Sequence, residues 1–390
     1  MKKIFFVAIA ATLLAAGCQK TEVINQVIPD GEPSMSYAPS MGKLTKAASV
    51  DGLNTLQGQD FHLWAYYVAA DPNRGAAANS VYDGMANIKV DYNNGAWSTN
   101  PVHFWPGTGK KLKFFAVSAD ENISTELFAD NNIVPDVTAP GTDNYVEATS
   151  NYEGLTIKSF TVNPTNPTSD LMVADYLEQD QSTLDVALNF RHALSKVQFL
   201  FKNTSAAAEE GKTPDPKTQV WVQHVEVKKV SNVGSLTVAK TSTSAERFAW
   251  KPSAIATFVA QYKGTPATDL QIAPNGSDPK ASNYSISNAN YMKLTKDYTE
   301  YATWLVIPQD VQKDGNGPTD AIDLQVEIVY VIGDRQFVSQ FPLSTTTLKA
   351  WAPNQYIKYN INLSPNIIGF NPTVEEWAPS ATGSDTNINE

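Results

Sequence analysis

The sequence predicts an all-β fold, and three observations carry that expectation. Short stretches in which apolar and polar residues alternate recur along the chain. No stretch of helical length repeats apolar residues at i, i+3, i+4 and i+7. Twenty-three prolines and 21 glycines supply frequent turns. The alternation is cleanest at residues 184–190, where Leu184, Val186, Leu188 and Phe190 fall on one face.

Taken in order, residues 61–68 are dense in aromatic and β-branched side chains, and residues 102–105 lead into a turn at Pro106-Gly107. Residues 111–117 begin in alternation, and 155–162 turn Leu155, Ile157 and Phe160 inward. Residues 197–201 alternate in part, and 220–230 place Val225 and Val227 inside with Glu226 and Lys228 outside. Residues 301–308 are mostly apolar. Residues 322–332 and 335–341 flank Gly333-Asp334, a two-residue hairpin loop in which glycine accepts a positive φ without steric cost. Residues 356–363 alternate again. Helix is expected only as single turns at 191–196 and 205–210, and residues 120–150, 203–219 and 308–320 read as surface loops. Strands at this spacing read as sandwich domains, with a closed barrel as the structural alternative.

The first residues address the chain out of the cytoplasm. Lys2 and Lys3 precede an apolar run over residues 4–16, shorter than the roughly 20 residues a membrane-spanning helix needs. Leu13-Leu14-Ala15-Ala16-Gly17-Cys18 has the form of a bacterial lipoprotein signal, small residues before a cysteine that accepts a diacylglycerol. Acyl chains on Cys18 would hold the protein to a membrane by about 0.8 kcal/mol per buried methylene. Cys18 is the only cysteine, so no disulfide within the chain, cysteine-held metal or later thiol nucleophile is possible. Domain limits follow: residues 1–17 signal peptide, 18–49 linker or propeptide, 50–184 and 185–377 two β-domains by length, and 378–390 a polar tail.

A net charge of −11 argues against nucleic acid and against a polybasic membrane face. His62, His103, His192 and His224 share no ligand spacing, so no metal site is assigned. His192 and Ser195 lie near Asp185 and Arg191, but no nucleophile elbow accompanies them. Gly107-Thr108-Gly109-Lys110-Lys111 lacks the spacing and hydroxyl of a phosphate loop. Asp314, Asn316 and Asp320 offer calcium chemistry on a loop without the EF-hand pattern. The eight tryptophans sit mostly among apolar strand residues, which favours core positions. No cofactor and no catalytic residue is expected.

Four segments carry a resemblance. They are Asp170-Leu171-Met172-Val173-Ala174, then residues 186–197 around Phe190-Arg191-His192-Ala193-Leu194, then Trp351-Ala352-Pro353-Asn354-Gln355 running on to Tyr359, and finally residues 368–377 ending Val374-Glu375-Glu376-Trp377. With the Cys18 signal, the chain resembles the fimbrillin-like lipoproteins of Bacteroidales, subunits and accessory proteins of type V pili, over roughly residues 50–377. The resemblance implies two tandem transthyretin-like β-sandwich domains, outer-membrane display through the lipid, and partners that are other fimbrial subunits joined by strand donation. A host or bacterial surface receptor would follow from adhesion. In such pili a protease removes an N-terminal strand and a strand from another subunit fills the groove.

Two departures qualify the expected assembly. No arginine lies between Cys18 and Arg74, so the expected processing residue is Lys46. The tail after Trp377 is polar and offers little to insert. Residues 361–377 are the alternative donor, interrupted by Pro365 and Pro372. The sequence therefore points to a structural, accessory or tip subunit, with a non-polymerising lipoprotein that binds glycan or host protein as the competing reading.

Overall fold

In a computed structural model of the chain, residues 32–41, 60–93, 95–119, 121–137, 154–204, 219–239, 247–261, 291–312, 323–332, 335–364 and 368–377 are described. Cys18, Lys46, the 314–320 loop, Gly333-Asp334, the turn expected at 205–210 and the polar tail lie outside them. The described residues are almost entirely extended, and the fold is all-β.

One sheet runs in the order Asp185–Val186, Ser36–Tyr37, Ala96–Thr99, Ile88–Asn93, Phe61–Tyr67, Lys111–Ala119, Leu171–Ala174, Asn189–His192 and Ser40–Met41, and Leu177–Asp180 also pairs with Lys111–Ala119. Two chain segments, 36–41 and 185–192, supply strands at both ends of this order. The ends therefore meet, and the sheet curls around a core of Met35, Tyr37, Phe61, Leu63, Trp105, Phe114 and Phe190 among others. Aromatic and β-branched residues on alternate positions make this possible, because each strand can bury both faces. Along Phe61–Tyr67, Phe61, Leu63, Ala65 and Tyr67 enter that core. Trp64 and Tyr66 enter a second core on the opposite face.

The second core is enclosed by two further sheets. One runs Thr299–Val306, Ser195–Asn203, Gln355–Leu363, Ile368–Glu376. The other runs Arg335–Pro342, Gln325–Ile332, Val220–Val238, Leu155–Thr161, Ile133–Pro135, with Phe248–Gln261 and Met292–Lys293 added along Val220–Val238. That long strand pairs with Gln325–Ile332 through its first half and with Leu155–Thr161 through its second. Its register against Phe248–Gln261 shifts at Gly234. A Cβ there would meet Lys251 O at 3.1 Å and Pro252 Cα at 3.3 Å, so the close approach of the two backbones favours glycine.

Several expectations need correction. Residues 33–41, inside the segment expected as a linker, are built into the first sheet, because alternate side chains there are apolar. The expected border at 184/185 falls within that sheet, since Asp185–Val186 and Asn189–His192 pair inside it. The change of sheet comes at Ala193-Leu194. Residues 191–196 are extended around this crossing rather than a helical turn. Within the stretch expected as a loop over 120–150, the described residues 121–137 hold a helix, Glu121–Leu127, and a strand, Ile133–Pro135. Leu184 is 53% exposed while Val186, Leu188 and Phe190 are fully buried, because Leu184 lies just before the strand Asp185–Val186 begins. The hairpin of Gln325–Ile332 with Arg335–Pro342 has the expected register, with Ile332 opposite Arg335.

Candidate strand-exchange groove

Residues 33–41 lie between two other segments and bond to both. On one side the N–H groups of Ser36, Ala38 and Ser40 donate to the carbonyls of Leu184, Val186 and Leu188 at 3.3, 3.0 and 2.7 Å. The ladder is parallel, because donor and acceptor positions advance together by two residues along both segments. On the other side Met35 N–H donates to His103 O at 2.8 Å, and Trp105 N–H donates to Pro33 O at 3.0 Å. The side chains alternate to match. Met35, Tyr37 and Pro39 are buried while Ser34 and Ala38 are exposed. The Ser36 hydroxyl donates to Asp185 Oδ1.

Tyr37 fills the middle of the groove. Its ring meets Phe61 edge-on at 6.4 Å, and its backbone stands opposite Trp97. Its hydroxyl is buried without a partner at hydrogen-bonding geometry. Burial pushes the phenol pKa up to about 12, against the opposing pull of the Thr99 side chain. The Thr99 hydroxyl is itself within 3.1 Å of His103 Nδ1.

The four segments singled out in the sequence converge at one place. His192 Nδ1 is 2.7 Å from Asp170 Oδ2, and the His192 ring stacks on Trp377 at 3.6 Å and 4°. Trp377 N–H donates to Asn354 O at 2.8 Å, and Asn354 N–H donates to Leu194 O at 3.0 Å. Lys196 Nζ lies 5.8 Å from the Trp377 ring. Beside them Asp175 accepts from Arg191 Nε at 2.9 Å and from the buried Arg247. The sequence separations are large, so spacing alone does not reveal this cluster.

The arrangement has no nucleophile constellation. Ser195 is fully buried and donates to Ala352 O at 2.8 Å, and Asp185 faces Ser36. Lys110 Nζ is paired with Asp71 at 3.1 Å. His62 stacks on Phe128 at 3.7 Å, and His103 and His224 are buried. Among the described residues no group of three His, Cys, Asp or Glu side chains is placed to hold a metal ion.

The model of the fimbrillin-like family matches residues 45–377. The chain belongs to that family. Three solved structures are similar. A fimbrial protein from Bacteroides vulgatus is 16% identical, covers 88% of this chain and 99% of its own, and has a TM-score of 0.53, which shows the shared fold. A candidate cell adhesion protein from Bacteroides uniformis is 14% identical with 90% and 100% coverage and a TM-score of 0.49. A fimbrial assembly protein from Parabacteroides distasonis is 11% identical with 88% and 100% coverage and a TM-score of 0.36. No curated protein matches. Membership gives this fimbrillin-like chain a fimbrial or adhesion role at the cell surface.

Within this fimbrillin-like chain, the segment preceding the expected cut at Lys46 is the one held in the groove. Sequence reasoning missed it. The signal was present as Met35, Tyr37 and Pro39 at alternate positions, but two prolines and three serines in nine residues obscured it.

Proposed function

We propose that this protein is a subunit or accessory subunit of a cell-surface fimbrium that assembles by β-strand donation. It is exported as a lipoprotein acylated at Cys18, held at the outer membrane, and processed at Lys46. Its two halves work as tandem β-sandwiches, and it carries adhesion rather than catalysis. The observation that supports this most strongly is the double-sided bonding of residues 33–41 just ahead of Lys46.

Physical chemistry makes that segment a replaceable strand. Each backbone hydrogen bond contributes about 0.5–1.5 kcal/mol net, and each buried large apolar side chain about 1.5–3 kcal/mol. Such a strand stays bound after its covalent link is cut, yet a better-fitting strand can displace it. Its departure leaves carbonyls at Leu184, Val186, Leu188 and His103 and the Trp105 N–H facing an apolar slot, the features a β-augmenting partner needs.

Two measurements test the reading together. N-terminal analysis of the mature surface form should find a start near Ala47 in assembled material and acylated Cys18 in the precursor. Incubation of the processed protein with sibling subunits should yield detergent-stable complexes. A surface form with Lys46 uncut and no such complex with any sibling would overturn strand donation.

A further inference from the structure

Among the described residues one lysine is almost wholly removed from water. Lys113, on strand Lys111–Ala119, is 1% exposed. Lysine is seldom buried to this degree, because its charged form is costly to desolvate. Its Nζ donates to Asn79 Oδ1 at 2.8 Å.

The sheet brings a carboxylate to the same place. Strand Phe61–Tyr67 sets Tyr66 opposite Lys113 on one side, and strand Leu177–Asp180 sets Glu178 opposite it on the other. Directly opposed side chains share a face, with Cβ atoms about 4.5–5.5 Å apart, so Glu178 is within a side chain's reach of Nζ. The Tyr176 hydroxyl donates to Glu178 Oε1 and orients it. Phe115, two residues along the same face from Lys113, meets the rings of Tyr66 and Tyr176 at 6.0 and 5.6 Å and supplies an apolar wall. Asn79 is fixed from its own side. Its N–H donates to Tyr67 O at 2.8 Å, and its φ of 64° is the left-handed conformation asparagine tolerates.

We propose that Lys113 and Asn79 join in an intramolecular amide bond, with Glu178 as the proton carrier. Asn79 Cγ lies one C=O bond, about 1.23 Å, beyond Oδ1, so Nζ is within about 4 Å of it. Rotation of the carboxamide brings the two atoms to the roughly 3–3.5 Å of a near-attack geometry. The Lys113 ammonium gives one proton to the Glu178 carboxylate. The amine lone pair then forms the Nζ–Cγ bond while the carbonyl pair moves onto Oδ1, to which protonated Glu178 donates. When the carbonyl re-forms, the Cγ–Nδ2 bond breaks and its electron pair stays on Nδ2. A second proton from Nζ passes through Glu178 to Nδ2, and ammonia departs. The ammonia takes up the first proton, which returns Glu178 to the carboxylate. Glu178 is exposed, so this side of the site opens to solvent. Lysine and asparagine are consumed, amide and ammonium are formed, and no oxidant is needed.

The bond would pin residues 68–87, which contribute Tyr82 and Met85 to the first core, onto the central strand. A chain whose single cysteine allows no internal disulfide gains a covalent closure of the same kind, which restricts the unfolded chain. This holds whether or not the chain polymerises.

The test is a tryptic digest of the purified full-length protein, read by mass spectrometry. Trypsin should release residues 75–89 joined to residues 112–158, about 17 Da lighter than the two peptides together, the mass of the lost ammonia. Fragmentation should place the branch at Asn79 and Lys113. Lys113→Arg and Asn79→Ala should each abolish the branched peptide. Glu178→Gln, with an unchanged far-UV circular dichroism spectrum, should lower its yield at least about tenfold, the low end of the effect of removing a positioned proton carrier. Peptide 75–89 found only at its unmodified mass in the wild-type protein would overturn the bond. A folded Glu178→Gln variant that links as fully as the wild type would overturn Glu178 as the carrier.

Discussion

Arg247 is 2% exposed, and its charge is balanced by Asp175, which also holds Arg191. Burial pulls the guanidinium pKa down to about 10; Asp175 opposes this and Arg191 adds to it. Asp175→Ala strands a buried cation, so urea unfolding should show a loss of about 2 kcal/mol. That is below the usual cost of breaking a buried pair, because the Asp175 carboxylate is 31% exposed. An unchanged midpoint would show that solvent and the Ala174 carbonyl, which also accepts from Arg247, suffice. The histidines give a second prediction at this scale. Burial is the largest cause of a lowered pKa at His62, His103 and His224, against the upward pull of Asn87, Asp83, and Glu226 with Glu327, respectively. Their unfolded value is 6.5. On acidification the unfolded chain takes protons first, so stability present above pH 6.5 is lost as pH falls through the folded values. Ring-proton NMR should find all three titrating below 6.5, and the urea midpoint should drop between about pH 7.5 and 5.5. Titration at or above 6.5 would contradict the burial argument. The sequence supplied the four histidines but not all their partners, because Asp170 and His192, 22 residues apart, are brought together by the pairing of Leu171–Ala174 with Asn189–His192.

At the scale of elements, Ile368–Glu376 presents two contrasting residues. Phe370 packs on Tyr359 at 5.2 Å and on Phe341 at 5.8 Å, while Val374 stands in solvent. Phe370→Ala should lower stability by about 2–3 kcal/mol, less than a fully buried phenylalanine because its ring is half-buried. Val374→Lys should stay within about 0.5 kcal/mol. Thermal melts of the two variants check both, and a large loss at Val374 would mean that this edge is covered. The alternation in residues 155–162 and 356–363 was legible because each strand buries one face in a single core. The strand over 36–41 was not, because its pairing is parallel to a segment about 150 residues away and its pattern is too short to register.

At the scale of the molecule, strands Phe61–Tyr67, Lys111–Ala119 and Leu171–Ala174 form a wall shared by two cores. Phe114 points into one and Phe115 into the other. A side chain removed on either side disturbs the same backbone. Phe114→Ala and Phe115→Ala should each cost about 3–5 kcal/mol and shift one common urea transition, read alike by tryptophan fluorescence and far-UV circular dichroism. Two separated transitions, each moved by one variant, would show that the cores unfold independently.

By itself the sequence determined the all-β class, most strand positions and the fimbrillin-like resemblance. Alternation and local turn chemistry act over a few residues and leave a readable pattern. Tertiary structure alone decided that residues 33–41 complete a sheet, that residues 185–192 belong to that same sheet, and that Asp170, His192, Asn354 and Trp377 meet. Those facts depend on which distant backbone supplies each hydrogen-bond partner, and period-two patterning specifies a face without naming the neighbour across it.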